Sequence, residues 1–215
     1  MTPHPATFSS PILDAIDQLL GDAVRVLDPF AGVGGIHALR ARGYLTVGVE
    51  IEPEWAAEHP GTICVDATDL PLADGSFDAI ATSPTYGNRM ADTYAGDGTK
   101  RHTYRIALGR PLRPGNAGSL QWGDEYRKLH EQAWAEAVRV LRPGGRFVLN
   151  CKDHVRGGFR QRVTDWHVET LGGLGLVLVE RVRVPAPGNR YGANGDSRVE
   201  YEEVVRLDKP LRGTR

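Results

Sequence analysis

Short apolar runs that suit buried strands alternate along the chain with stretches whose apolar positions recur three and four residues apart, the spacing of a helix face. Residues 24–27 predict a first strand, 36–42 a helix stopped by Gly43, and 45–49 a second strand ending at Glu50. Residues 53–58 read as a brief helix with proline in its first turn, 62–66 as a third strand and 77–82 as a fourth. The pattern then lapses over 87–123, an insert rich in glycine, proline and arginine and too long for an ordinary connection; such loops are usually functional. From 124 to 141, Tyr126, Leu129, Ala133, Ala137, Val138 and Leu141 keep near-helical spacing until Arg142-Pro143-Gly144-Gly145 ends the helix. A fifth strand (146–151), a helix (160–171), a sixth strand (174–184), a glycine-rich loop (185–197) and a seventh strand (199–207) complete the series. Two long strands joined without a helix must run antiparallel.

The expected fold is therefore a single α/β domain over 1–215: a Rossmann-like, seven-stranded, mostly parallel sheet with an antiparallel last strand and helices on both faces. No apolar stretch approaches the roughly 18 residues of a membrane span, and the opening MTPHPATFSS lacks the regions of a secretion signal, so a cytoplasmic protein without a membrane partner is expected. Cys64 and Cys151 sit in strand-like runs and are expected to pack as small reduced hydrophobes. The histidines are dispersed and no metal site is expected. The net charge of -1 offers nucleic acid nothing as a whole, yet residues 89–113 carry a local net charge of +4.

Candidate chemistry gathers where predicted strands end. In Asp28-Pro29-Phe30-Ala31-Gly32-Val33-Gly34-Gly35 the glycines let the backbone turn sharply from strand to helix and approach a ligand. His37 stands where a dinucleotide fingerprint wants its third glycine, and no lysine and hydroxyl pair makes a phosphate loop. Glu50 at the end of the second strand is placed to accept hydrogen bonds from ribose hydroxyls. Asp66-Ala67 after the third strand could take an adenine amino group, with Ile51 against the ring. After the fourth strand, Ser83-Pro84-Thr85-Tyr86 sets a hydroxyl, a restricted backbone and a phenol at the sheet edge where open α/β folds bind ligands. Asn150, Lys152, Asp153 and His154 follow the fifth strand and either line the same cleft or are merely solvated.

DPFAGVGG, Glu50, SPTYGNR, LRPGGRFVLN and the terminal RVEYEEVVRLDKP together resemble the class I S-adenosylmethionine-dependent methyltransferases, and within them the enzymes that methylate the exocyclic nitrogen of cytosine or adenine. The resemblance implies S-adenosylmethionine as cofactor, contacted by Phe8, Ser9, Asp28, Phe30, Ala31, Gly32, Gly34, Glu50, Ile51, Asp66 and Ala67. It implies a reaction centre of Ser83, Pro84 and Tyr86, with Asn88, Arg89, Arg101 and Arg105 meeting the substrate. Serine at the first place leans toward cytosine N4 over adenine N6, and DNA is favoured over RNA as partner. Thr85 stands where the family has a second proline, which restores a backbone donor and loosens the turn. Carbon methylation of cytosine is not expected, because neither cysteine follows a proline at a strand end. An RNA or small-amine methyltransferase and a non-catalytic cofactor-binding protein remain alternatives on the same scaffold.

Overall fold

The computed structural model describes residue 4 and residues 7–91, 103–186 and 197–211. Seven strands form one sheet in the order β3-β2-β1-β4-β5-β9-β8, and a separate two-stranded ribbon pairs β6 with β7. The strands are β1 Arg25–Asp28, β2 Leu45–Glu50, β3 Thr62–Cys64, β4 Phe77–Thr82, β5 Leu141–Cys151, β6 His154–Arg156, β7 Phe159–Gln161, β8 Val177–Pro185 and β9 Tyr201–Asp208. The helices are α1 Ser10–Leu20, α2 Pro53–Ala56, α3 Tyr104–Leu108, α4 Asp124–Val140 and α5 Val163–Gly173. β1 to β5 pair in parallel, and β9 runs antiparallel between β5 and β8. This is the expected Rossmann-like architecture.

Alternation along the strands divides the core in two. Leu27, Ile80, Phe147, Leu149 and Val205 face the α4 and α5 side with Trp134, Ala137 and Leu171. Their neighbours Val26, Ala79, Ala81, Val148 and Val204 face α1 and the 35–42 segment, against Ile16, Leu20, Ile36 and Leu39. Burying both faces is what makes the middle strands nearly continuous in apolar residues.

Several local expectations need correction. Residues 35–42 form a 3₁₀ rather than an α-helix, with i to i+3 bonds from His37 N to Gly34 O and Gly43 N to Arg40 O, both 3.0 Å. The segment Ser10–Leu20, unassigned by pattern, is a helix begun by Pro11 in its first turn. Arg142-Pro143-Gly144-Gly145 lies within β5 as a bulge, where pairing jumps from Phe77↔Leu141 to Ala79↔Arg146. The helix expected at 160 begins at Val163, because Gly157 and Gly158 (φ 59° and 81°) turn the chain into the β6–β7 hairpin first. Cys151 is buried as expected, whereas Cys64 is exposed at the end of edge strand β3. Among the described residues no helix is long and apolar enough to cross a membrane.

Candidate functional site

Three strands place the first half of the site at their carboxyl ends. The turn after β1 is closed by Ala31 N donating to Val49 O (2.9 Å) and Gly34 N to Ala31 O (2.8 Å). Gly32 and Gly34 adopt φ of 53° and 84°, open to glycine and costly for other residues. The amino-terminal segment lies on this turn: a Cβ on Gly32 would meet His4 at 2.9 Å, and one on Gly35 would meet Phe8 at 3.2 Å.

Beside the turn is a cavity of about 630 Å³, within the usual range for small-molecule and cofactor sites. Of the expected cofactor contacts, Phe8, Ser9, Phe30, Ala31, Gly32, Glu50, Ile51, Asp66 and Ala67 line it. Asp28 and Gly34 do not. Asp28 sits behind the turn, its Oδ1 accepting from Phe30 N (3.0 Å) and the Thr82 hydroxyl (2.6 Å), while its Oδ2 is buried without a partner among the described residues. Burial pushes its carboxyl up to about 7. Gly34 serves packing instead, its α-carbon facing His37 and His59.

Glu50 is nearly buried, and its Oε1 accepts from Glu52 N at 2.8 Å. Burial, opposed by backbone N–H groups and aided by the neighbouring Glu52, raises its carboxyl to about 7. A carboxylate so placed lacks the water it would have in solution and gains most from a ligand that brings hydroxyl donors.

The insert roofs this end. Glu52 is fully buried and gathers the second half of the insert: Oε1 accepts from Arg113 N (2.7 Å) and Asn116 Nδ2 (2.8 Å), and Oε2 from Arg110 (2.7 Å). Arg110 also grips Glu54 at 2.6 Å, and Arg113 donates to Ile51 O at 3.1 Å. The segment then passes so close that a Cβ on Gly115 would stand 3.3 Å from Asp66 Oδ2 and 3.5 Å from Ile51 Cδ1. Arg110 and Arg113, two of the cations that give 89–113 its positive balance, are thus engaged with carboxylates or a carbonyl. The insert also closes on itself, Trp122 N donating to Gly87 O at 2.8 Å.

The second half of the site is the tetrapeptide after β4. The apolar rows on one sheet face end here in polar residues: Ala81 gives way to Ser83, Val148 to Asn150, and Val204 to Glu202. These side chains meet with Tyr86. Ser83 Oγ is 3.1 Å from the Tyr86 hydroxyl, which donates to Glu202 Oε2 at 3.1 Å. Asn150 Nδ2 lies 2.8 Å from Glu202 Oε2 and 3.2 Å from both hydroxyls. Burial and the Glu202 charge hold the Tyr86 phenol well above its ordinary range, so it stays protonated. Ser83, Pro84, Tyr86, Asn88, Asn150, Lys152 and Glu202 all line the same cavity as Glu50. Lys152 donates to Ala186 O at 2.7 Å, and burial lowers its ammonium.

Thr85 is held from both sides. Its hydroxyl donates to Ala117 O in the insert at 3.2 Å. Its carbonyl accepts from Tyr126 at 2.5 Å, at the end of a buried chain. Trp134 Nε1 can only donate, so His167 Nδ1 accepts (2.9 Å), His167 Nε2 carries the proton toward the Tyr126 oxygen (2.9 Å), and Tyr126 donates onward to Thr85 O. These bonds supply the fixity that a second proline would otherwise give. Replacing Tyr126 with phenylalanine is expected to lower stability by about 2 kcal/mol, since it strands a buried carbonyl and an imidazole N–H. Urea unfolding with an unchanged slope would register it.

Of the remaining residues expected to meet substrate, Arg105 is exposed on α3 away from the cavity lining, Arg89 is placed by its backbone alone in a 3₁₀ turn, and Arg101 lies outside the described residues. Sequence reasoning left Glu202 out, although a glutamate on the face of Val204 was its signal; Tyr104, Trp55 and Asn116 arrive through tertiary contacts that no spacing marks.

No protein-family model matches the chain, and no curated protein matches it either. Solved structures do. The chain superposes on a SAM-dependent methyltransferase from Methanosarcina mazei with TM-score 0.60 at 14% identity, covering 96% of this chain and 100% of that one. The fold is that of the class I S-adenosylmethionine-dependent methyltransferases. A 1,6-didemethyltoxoflavin-N1-methyltransferase from Burkholderia thailandensis, solved with its substrate and S-adenosylhomocysteine, gives TM-score 0.53 at 17% identity over 94% of this chain and 79% of that one. The chain superposes on the cyclase SpnF as well, with TM-score 0.57 at 16% identity over 92% of this chain and 80% of that one, so reaction must be argued from side chains. The side chains here suit an adenosyl ligand: a buried acceptor at Glu50, apolar walls at Ile51, Val65 and Ala67, and a turn that carries no side chain of its own at Gly32. Among the described residues no group of His, Cys, Asp and Glu could hold a metal ion.

Proposed function

We propose that the protein methylates an exocyclic amino nitrogen of a nucleobase from S-adenosylmethionine, in DNA by preference and at cytosine N4 ahead of adenine N6. The observation that carries this reading is that Ser83-Pro84-Thr85-Tyr86 and Glu50 line one cavity. Bound S-adenosylmethionine supplies a sulfonium methyl group. The chain's own contribution is placement. Glu50 accepts the ribose hydroxyls, Ile51 and Ala67 flank the adenine, and Asp66 takes its amino group. At the other end, the Ser83 hydroxyl and the Pro84 carbonyl accept from the acceptor's N–H groups, favouring a pyramidal nitrogen whose lone pair is free to attack.

Tyr86 offers its ring to the base once the base is turned out of a helix or taken from a single strand. Nucleic acid as the carrier finds support in the β6–β7 hairpin, which begins two residues beyond Lys152 and presents Phe159, 75% exposed, opposite Arg156, while Arg160 is held by Asp153 and Tyr201. An exposed aromatic paired with an arginine suits stacking on bases. A second reading, a small amine as acceptor, is favoured by the engagement of Arg110 and Arg113 with the protein itself.

Incubation with methyl-labelled cofactor and a mixed pool of DNA, RNA and small amines, followed by digestion, tests the reaction by naming the molecule that carries label. Label on N4-methylcytosine or N6-methyladenine in DNA supports it. Cofactor binding with no label in any fraction would leave a binding protein. Tyr86→Ala is expected to keep cofactor affinity within about twofold and to cut turnover by about 100-fold or more, since it removes the base stack together with the hydroxyl.

A further inference from the structure

An ionised Glu202 can only accept hydrogen bonds, and this fixes the direction of each bond that ends on it. Asn150 must turn its NH2 toward Glu202 Oε2 at 2.8 Å, since the opposite orientation would set its carbonyl against a carboxylate oxygen. Tyr86 must spend its single proton on the same oxygen at 3.1 Å. Ser83, 3.1 Å from the phenol oxygen, then donates to it. The proton order runs from Ser83 to Tyr86 to Glu202, and what Ser83 presents to the cavity is lone pairs. The orientation forced on Asn150 leaves its Oδ1 buried and without a partner among the described residues, a further acceptor at the same end. Ser83, Tyr86, Asn150 and Glu202 all line the cavity, so the polarity reaches whatever binds there.

We propose that Glu202 sets the hydrogen-bond polarity of the acceptor end, so that the site selects a group presenting N–H donors over one presenting a carbonyl, and that Glu202 receives the proton this group releases. This deepens the methyl-transfer reading and rests on it for the second clause. As the acceptor nitrogen's lone pair forms the new N–C bond, the S–C pair stays with sulfur and nitrogen holds one proton too many. That proton passes to Ser83 Oγ while the serine proton moves to the Tyr86 oxygen and the tyrosine proton to Glu202. The carboxylate ends as a carboxylic acid, the hydroxyls are restored, and the acid then loses its proton to solvent.

Two measurements on the full chain separate the clauses. Calorimetric titration of the S-adenosylhomocysteine-loaded protein with cytidine and with uridine compares an amino group with a carbonyl at one ring position. Adenosine and inosine repeat the comparison. The amino partner of each pair is expected to bind about tenfold tighter, the worth of one hydrogen bond matched against one opposed. Glu202→Gln, which can donate, should erase that preference, and Glu202→Ala should weaken it. Wild-type protein without the preference, or a Glu202→Gln variant that keeps it, overturns the proposal.

For the second clause, Glu202→Gln and Tyr86→Phe should each lower kcat about 100-fold, with the KM for cofactor unchanged as the sign of an intact fold. A variant turning over within threefold of wild type sinks the proton route. A wild-type protein that shows the binding preference yet labels no nucleobase overturns the reaction proposed above and supports the polarity of the site.

Discussion

Replacing Glu50 with alanine is expected to weaken S-adenosylmethionine binding by roughly 30- to 1,000-fold, about 2 to 4 kcal/mol, because two hydroxyl donors lose one charged acceptor. Melting temperature without cofactor should not fall, since the carboxylate is a burden there: burial raises it to about 7 from an ordinary value of 4.5. The sign follows from that shift. A carboxyl raised on folding adds stability that is fully present below 4.5 and is lost as pH rises through 7. The cofactor-free protein should therefore melt lower at pH 8 than at pH 5, with Asp28, also raised to about 7, acting in the same direction. Cofactor affinity runs the other way. The ionised form is the acceptor, so binding should tighten from pH 6 to pH 8, and Glu50→Gln should flatten the profile. Wild-type affinity unchanged across that range would remove Glu50 from the ribose site.

Glu52→Ala is the second large effect, expected to cost about 3 kcal/mol and to lower the melting temperature by roughly 6 to 12 °C. It leaves Arg113 N and Asn116 Nδ2 without their buried acceptor and Arg110 with Glu54 alone. The insert should then lift from Ile51 and Asp66. Limited proteolysis should cut between 109 and 119 in the variant and spare wild type. Equal resistance of the two proteins would mean that the roof is held from elsewhere.

Much of this was legible in the chain. β4 was readable to the residue, and the glycine turn, Glu50 and the Ser83 tetrapeptide were placed at strand ends, because period-two alternation and turn chemistry are local signals. The hairpin at 154–161 was not, since two three-residue strands are too short to show a period. The 3₁₀ geometry of 35–42 was hidden because the same apolar spacing serves either helix. In the site, Glu50 and Tyr86 announce themselves by position, whereas Glu202 reaches Tyr86 from a strand more than a hundred residues away by register. The double role of Thr85 depends on Tyr126 and His167, whose hydrogen bonds no sequence pattern encodes. Nor does the charge of the insert say where its cations are spent. Composition counts arginines without saying which are answered by a carboxylate.

Strand β8 closes the sheet on one side, with Val177, Leu178 and Val179 all exposed and no strand paired beyond it among the described residues. Backbone groups there are as available to a second molecule as to water. The residues that follow are Glu180, Arg181 and Arg183, so copies meeting side by side would have to bring like and unlike charges into contact along the seam. Salt, which mutes that charge, is the solution variable to which solubility is expected to answer first.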